Sequence, residues 1–323
     1  MKIIVILIIT LIITSVNAAQ QNPSNVLYGL FSDSDETHVY YGLLDLNTSQ
    51  FDIFSSLNIN DVGNPKNLKY SVVPLTYDPN NDLVYMAAPD NNRKTILSVI
   101  NATTGNLLST FKTISNTIIS LQYDIFQKQL FAHIETNFEN VTVIGEIDTN
   151  NGNIKQILGI INNTKPTYIS SYCPVCRKYF LIMIEDKDYI YVGVNTSNSG
   201  GVDWKSIINF PPISIKFDYK TFTMYATYIN QTDGITSSLG ILNRTLGGIS
   251  KLVGIISQHP EIYVTSLSAY DVAQNIYYAS KQLSFPSYSG VSYINVNTSE
   301  EKSILHTKTK YNSYAWFAKQ FVR

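Results

Sequence analysis

The sequence predicts an all-β chain folded as a six-bladed β-propeller, and three observations carry that prediction. An aromatic residue followed by Asp, with a second aromatic eight positions after the first, recurs along the chain. A second motif follows each copy of the first: an apolar residue, then Asp or Asn, then a turn of Thr, Asn, Ser or Gly. Helical periodicity, with apolar residues at i, i+3, i+4 and i+7, is nowhere sustained.

The first motif reads Tyr77-Asp78 with Tyr85, Tyr123-Asp124 with Phe131, Phe217-Asp218 with Tyr225, and Tyr270-Asp271 with Tyr278. Tyr172-Cys173 with Phe180 aligns without a gap, Cys standing in the Asp place. A β-branched stretch such as Thr117–Gln122 precedes each copy and an apolar segment such as Leu130–Ala132 follows it. That order is strand, tight turn, strand. Asp suits the head of the turn because its carboxylate accepts hydrogen bonds from the N–H groups just ahead.

The second motif is anchored at Asp45, Asn101, Asp148, Asn195, Asn243 and Asn295, separated by 56, 47, 47, 48 and 52 residues. Two hairpins per period make one four-stranded blade, and a constant period joins blades into a propeller, whereas stacked sandwiches have no reason to repeat. Six copies of the second motif against five of the first define how the ring closes. Val26–Leu30 matches the second strand of other blades, as in Leu83–Ala87, and the segment Tyr311–Gln320 is a spare apolar strand. This tail is expected to supply the inner strand of the first blade and so hide an open edge.

The pattern resembles the extracellular six-bladed propellers of the lipoprotein-receptor YWTD class, and is similar to the NHL and gluconolactonase propellers. The likeness spans residues 19–323 at the level of the fold. The YWTD tetrapeptide itself is replaced by Val84-Tyr85-Met86-Ala87 and Tyr277-Tyr278-Ala279-Ser280. The resemblance implies the architecture and leaves open whether the chain binds or catalyses, because propellers do both.

The N-terminus reads as an address. Lys2, the apolar run Ile3–Ile13 and the small residues Val16 and Ala18 have the order of a signal peptide over 1–18, and the run is too short for an anchor, which takes about 20 residues. Residues 19–323 are then one exported, soluble propeller domain with no membrane span. Sequons at Asn47, Asn101, Asn140, Asn162, Asn195, Asn230, Asn243 and Asn297 fit an exported glycoprotein. Charged residues are 15% of the chain and the net charge is −1, which gives no reason to expect nucleic acid. Glycans are expected to supply part of the solubilising layer.

Cys173-Pro174-Val175-Cys176 holds the only cysteines. A redox motif is expected at the head of a helix beside a βαβ unit, and a zinc site needs further ligands that His38, His133, His259 and His306 do not supply by spacing. Export favours the third reading, a short disulfide clipping the hairpin turn.

Five sequons (Asn47, Asn101, Asn195, Asn243 and Asn297) fall in or beside turns between the third and fourth strands. Asn140, Asn162 and Asn230 map to the opposite, upper face of blades 3, 4 and 5. The upper surface of blades 6, 1 and 2 stays bare and carries the charged loops. There the candidate ligand-binding residues are Asp33, Asp35, Glu36, His38, Asp90, Arg93, Tyr288 and His306. No G-x-S-x-G elbow, H-E-x-x-H motif or EF-hand loop occurs. The expected function is non-enzymatic binding of an extracellular protein or glycan by a monomer. The alternative is a calcium-dependent, lactonase-like hydrolase acting at the central channel. No cofactor is predicted outright, and calcium is the one left open. Calcium takes six to eight oxygens, but Thr76, Gln122, Ser171, Lys216 and Ala269, just before the aromatic–Asp turns, supply no carboxylate.

Deleting Tyr311–Arg323 is expected to abolish secretion of folded protein. Thermal unfolding identical to that of the full chain would refute closure by the tail strand.

Overall fold

The computed structural model describes residues 26–32, 38–68, 72–92, 94–112, 116–197, 200–210, 212–230, 233–243, 247–258, 262–283, 289–306 and 312–317. Six four-stranded antiparallel sheets form a six-bladed β-propeller. Blade 1 contains β1 (Val26–Ser32), β2 (His38–Asp45) and β3 (Gln50–Asn58). Blade 2 contains β4 (Leu75–Asp78), β5 (Leu83–Pro89), β6 (Thr95–Asn101) and β7 (Leu107–Lys112). Blade 3 runs through β8 (Thr117–Asp124), β9 (Gln129–Glu135), β10 (Val141–Ile147) and β11 (Ile154–Asn162). Blade 4 runs through β12 (Lys165–Cys173), β13 (Lys178–Glu185), β14 (Asp188–Asn195) and β15 (Val202–Ile208). Blade 5 holds β16 (Pro212–Asp218), β17 (Thr223–Ile229), β18 (Ser237–Leu242) and β19 (Ile249–Ser257). Blade 6 holds β20 (Ile262–Asp271), β21 (Ile276–Leu283), β22 (Ser289–Asn295) and β23 (Glu301–His306). The last strand, β24 (Asn312–Phe317), pairs antiparallel with β1, with Tyr28 opposite Phe317 and Leu30 opposite Ala315. The connector from blade 1 to blade 2 includes a single helical turn, Ile59–Val62, which periodicity does not reveal because one turn buries only Val62.

Both hairpin turns of a blade use one local device. In the first turn Asp78, Asp124, Asp218 and Asp271 each accept the N–H groups two and three residues ahead through Oδ1, at 2.8–3.4 Å. Four residues on, the chain enters the left-handed region at Asp82, Lys128, Arg177, Phe222 and Asn275, with φ between 50° and 58°. A four-residue loop ending in such a residue turns the chain back so that the flanking strands pair directly across it. The second turn repeats the scheme from Asp45 to Ser49, Asn101 to Gly105, Asp148 to Gly152, Asn243 to Gly247 and Asn295 to Ser299.

The hydrophobic core lies between blades. Leu30 and Tyr41 of blade 1 pack with Val84, Met86 and Ile100 of blade 2, and Phe131 and Ile144 of blade 3 pack with Tyr172, Tyr179 and Leu181 of blade 4. Leu27, Phe31 and Leu44 of blade 1 pack with Tyr278 and Val291 of blade 6, so the first and last blades share a core as well. Each sheet needs its neighbours to bury both faces, the condition of a repeat architecture. In blades 1, 3, 4 and 5 the third strand carries a glycine (Gly42, Gly145, Gly193, Gly240), and the pairing to the fourth strand shifts register beside it. At Gly193 an added Cβ would lie 2.8 Å from the Trp204 ring, so the side chain of the fourth strand fills the glycine's space.

The repeated Asp does more than shape its turn. Asp124 and Asp218 are fully buried, and the tyrosine of the next blade's motif donates to each: Tyr172 to Asp124 Oδ2 at 2.7 Å, Tyr270 to Asp218 Oδ2 at 3.1 Å. Burial first, and the facing carboxylate second, push the Tyr172 and Tyr270 hydroxyls up, as they do Tyr123, which faces Asp78. Blade 4 lacks the carboxylate, and blade 5 correspondingly carries Phe217, which has no hydroxyl to donate. A second stitch runs alongside: Tyr179 meets Ser120 at 2.8 Å and Tyr277 meets Ser214 at 2.6 Å, each across a blade boundary.

Among the buried polar groups outside these networks, His133 is the one that titrates near neutral pH when exposed. His133 on β9 is fully buried, and neither ring nitrogen has a hydrogen-bond partner among the described residues. Desolvation pushes its pKa down to about 3, so the ring is neutral in the fold. Because the unfolded imidazole titrates near its ordinary 6.5, the unfolded chain gains a proton that the fold refuses, and stability falls as pH drops from about 6.5 towards 3.

Tyr172→Phe is expected to cost about 1–3 kcal/mol by leaving a buried carboxylate oxygen short of a donor. A double-mutant cycle with Asp124→Asn should show coupling, while Phe217→Tyr opposite Cys173 should give no gain; a cycle without coupling would remove the stitch. Lowering pH from 7.5 to 5 is expected to cost on the order of 2 kcal/mol through His133, at 1.36 kcal/mol per pKa unit. Unfolding curves of His133→Leu should lack this increment, and equal acid sensitivity in both chains would clear the imidazole.

Candidate functional site

The inner strands β4, β8, β12, β16, β20 and β24 surround a central channel, and the register of the first five places one residue of each at the same level. Thr76, Gln122, Ser171, Lys216 and Ala269 pair with Tyr85, Phe131, Phe180, Tyr225 and Tyr278, the second aromatic of each motif. The channel holds two adjoining spaces, of about 180 Å³ and about 80 Å³, and Leu75, Gln122, Lys216 and Ser268 line both. Lys216 and Gln122 therefore stand at a waist.

Lys216 supplies the only ionisable side chain among the residues that line both spaces. Its ammonium meets neither a carboxylate nor a hydrogen-bond acceptor among the described residues. It is half-buried, with part of its surface open to the lumen, and desolvation pushes its pKa down to about 8. Gln122 donates to Ser170 at 3.1 Å, and the Ser171 hydroxyl accepts from the Phe217 N–H at 2.8 Å, which leaves its own proton free to point into the lumen.

The larger space opens between the first hairpin turns. Tyr77, Tyr123, Tyr172, Phe217, Tyr219 and Tyr270 line it, and Pro79, Ile125, Pro174 and Val272, each directly after the head of a turn, stand at its mouth. Tyr219 reaches over to Phe126, ring centres 6.0 Å apart, so blades 3 and 5 touch past the turn of blade 4. That intervening turn is closed by a Cys173–Cys176 disulfide, Cα atoms 5.4 Å apart, and Sγ of Cys173 accepts the Cys176 N–H as the carboxylate does elsewhere.

Among the described residues the channel gathers no carboxylates for calcium. Its level just before the turns presents an ammonium, one carboxamide and hydroxyls, and the motif carboxylates are buried and bonded to their own turns, Asp124 and Asp218 also to tyrosines. No group of three or more His, Cys, Asp or Glu side chains able to hold a metal occurs among the described residues.

Of the candidate binding residues, Asp33, Asp35, Glu36, Arg93 and Tyr288 lie outside the described residues, and His306 ends β23 with only its backbone described. His38 starts β2, half-buried, with its ring 6.2 Å from that of Tyr40. Asp90 heads the loop after β5, where Oδ1 accepts the N–H groups of Asn92 and Lys94, both at 2.8 Å. Lys216 is not among the candidate residues read from the sequence because its setting depends on facing a lumen; the signal in the sequence is its place before an aromatic–Asp pair, where the other motifs carry neutral residues.

Comparison with known proteins supports the fold alone. No family model matches the chain, and no curated protein matches it. A chain in a solved nidogen–laminin complex superposes with TM-score 0.57 at 13% identity, covering 92% of this chain and 100% of that one. TolB from Acinetobacter baumannii superposes with TM-score 0.51 at 12% identity, covering 88% and 69%. A candidate 6-phosphogluconolactonase from Bacteroides uniformis gives TM-score 0.51 at 12% identity, covering 86% and 80%. The similar structures thus include a protein complex and a named enzyme candidate on one architecture. No helix among the described residues is long and apolar enough to cross a membrane.

Proposed function

We propose that this chain is a secreted, N-glycosylated propeller that binds an extracellular protein or glycan and catalyses no reaction. One observation carries the reading: the repeated carboxylates, which a metal-dependent hydrolase would gather at the channel, are buried and bonded to their own turns, Asp124 and Asp218 also to tyrosines, and the channel waist carries an ammonium. Recognition then falls to the loops, with Asp33, Asp35, Glu36, His38, Asp90, Arg93, Tyr288 and His306 on the sector free of sequons. The disulfide suits an oxidising compartment. Asn47, Asn140, Asn162 and Asn297 are exposed, and Asn101, Asn195, Asn230 and Asn243 are half-buried, so every sequon asparagine has surface to offer a glycan. Residues 1–18 act as the export signal, and the mature domain is a monomer.

Expression with the native N-terminus in eukaryotic cells is expected to yield medium-borne protein whose mass falls on enzymatic removal of N-glycans. On arrays of glycans and extracellular proteins, at least one ligand should lose roughly tenfold in affinity to an Asp33→Ala, Arg93→Ala double variant, the scale of one charged contact. Gluconolactone should hydrolyse at the uncatalysed rate with or without calcium. Calcium-dependent turnover abolished by Asp33→Ala, Asp35→Ala would overturn the reading in favour of a hydrolase.

A further inference from the structure

The channel has two unlike ends to its larger space. At the base stands Lys216, whose ammonium lacks a counter-charge among the described residues, with the Ser171 and Gln122 side chains at the same level. Above it the walls are aromatic, and the hydroxyls of Tyr172 and Tyr270 are turned into the blade interfaces by Asp124 and Asp218, so these rings serve the lumen as apolar surface. A half-buried cation without a partner favours an anion, since an unpaired charge out of bulk water is costly. An apolar collar above it favours a ligand with an apolar body. The volume, about 180 Å³, sets the size; an engineered cavity of about 150 Å³ holds benzene. No sequon falls in the first hairpin turns themselves.

We propose that the channel is a binding site for small amphiphilic carboxylates, the carboxylate seated on the Lys216 ammonium and a single ring or short chain held in the aromatic collar. This site lies at the channel mouth between the first hairpin turns, apart from the loop sector assigned to the macromolecular partner. Binding follows the protonation of Lys216: the ammonium persists below about pH 8 and is lost above it, so affinity falls as pH rises.

The test uses the secreted full chain and phenylacetate as probe, read by calorimetry at pH 7 and pH 9.5. Saturable one-to-one binding at pH 7 is expected, weaker by roughly tenfold for Lys216→Met, for the uncharged analogue 2-phenylethanol, and for inorganic phosphate, which lacks the apolar body. Lys216→Arg should retain most of the affinity, and the unaltered chain should bind less tightly at pH 9.5. Absence of saturable phenylacetate binding by folded protein at millimolar concentration overturns the proposal. So does equal affinity in Lys216→Met, or phosphate binding as tight as phenylacetate. Should Lys216→Met fail to fold, the pH dependence of the unaltered chain decides: affinity equal at both pH values overturns the site.

Discussion

A carboxylate removed from water at the head of a hairpin turn must be fully bonded or it destabilises the fold that buries it. Here Asp124 and Asp218 meet that demand from two directions. One oxygen takes the N–H groups of its own turn, and the other takes a tyrosine hydroxyl from the next blade. The carboxylate that shapes a local turn thus also ties the neighbouring sheet to it. Packing between blades supplies most of the buried apolar surface, but apolar faces slide, whereas a carboxylate with directional donors on both sides does not.

The blade 4–5 boundary shows the same constraint by its exception. Cys173 cannot accept a tyrosine hydroxyl as a carboxylate does, and the residue facing it is Phe217 rather than tyrosine. The turn that lost its carboxylate is held instead by the bond to Cys176, whose N–H still finds an acceptor in Sγ. Turn chemistry and inter-blade chemistry change together at this one place, as they must if a buried hydroxyl is not to be left unpaired.

The stitches also decide what the channel is made of. Holding tyrosine hydroxyls inside the blade interfaces presents their rings to the lumen and withdraws the carboxylates from it. The polarity of the waist is then set by whichever residue precedes each aromatic, and in blade 5 that residue is Lys216. His133 marks a different compromise, a neutral imidazole walled in without a partner among the described residues, which ties stability to pH without touching the channel.

Much of this was legible in the residues. The period of the two turn motifs marks the blades, Asp at the head of a turn predicts its N–H bonds, and the paired departures at Cys173 and Phe217 are visible in the bare string. These features are local, and local backbone geometry follows from a few neighbouring residues. The tyrosine–aspartate bonds, the isolation of His133 and the exposure of Lys216 to a lumen join residues about 50 positions apart, or depend on which way a side chain faces once the ring is assembled. Sequence alone determined that the chain would build repeating four-stranded units, because alternation and turn chemistry act within each unit. Only the tertiary structure decided which buried groups found partners, because satisfaction of a polar atom depends on what arrives from the neighbouring blade.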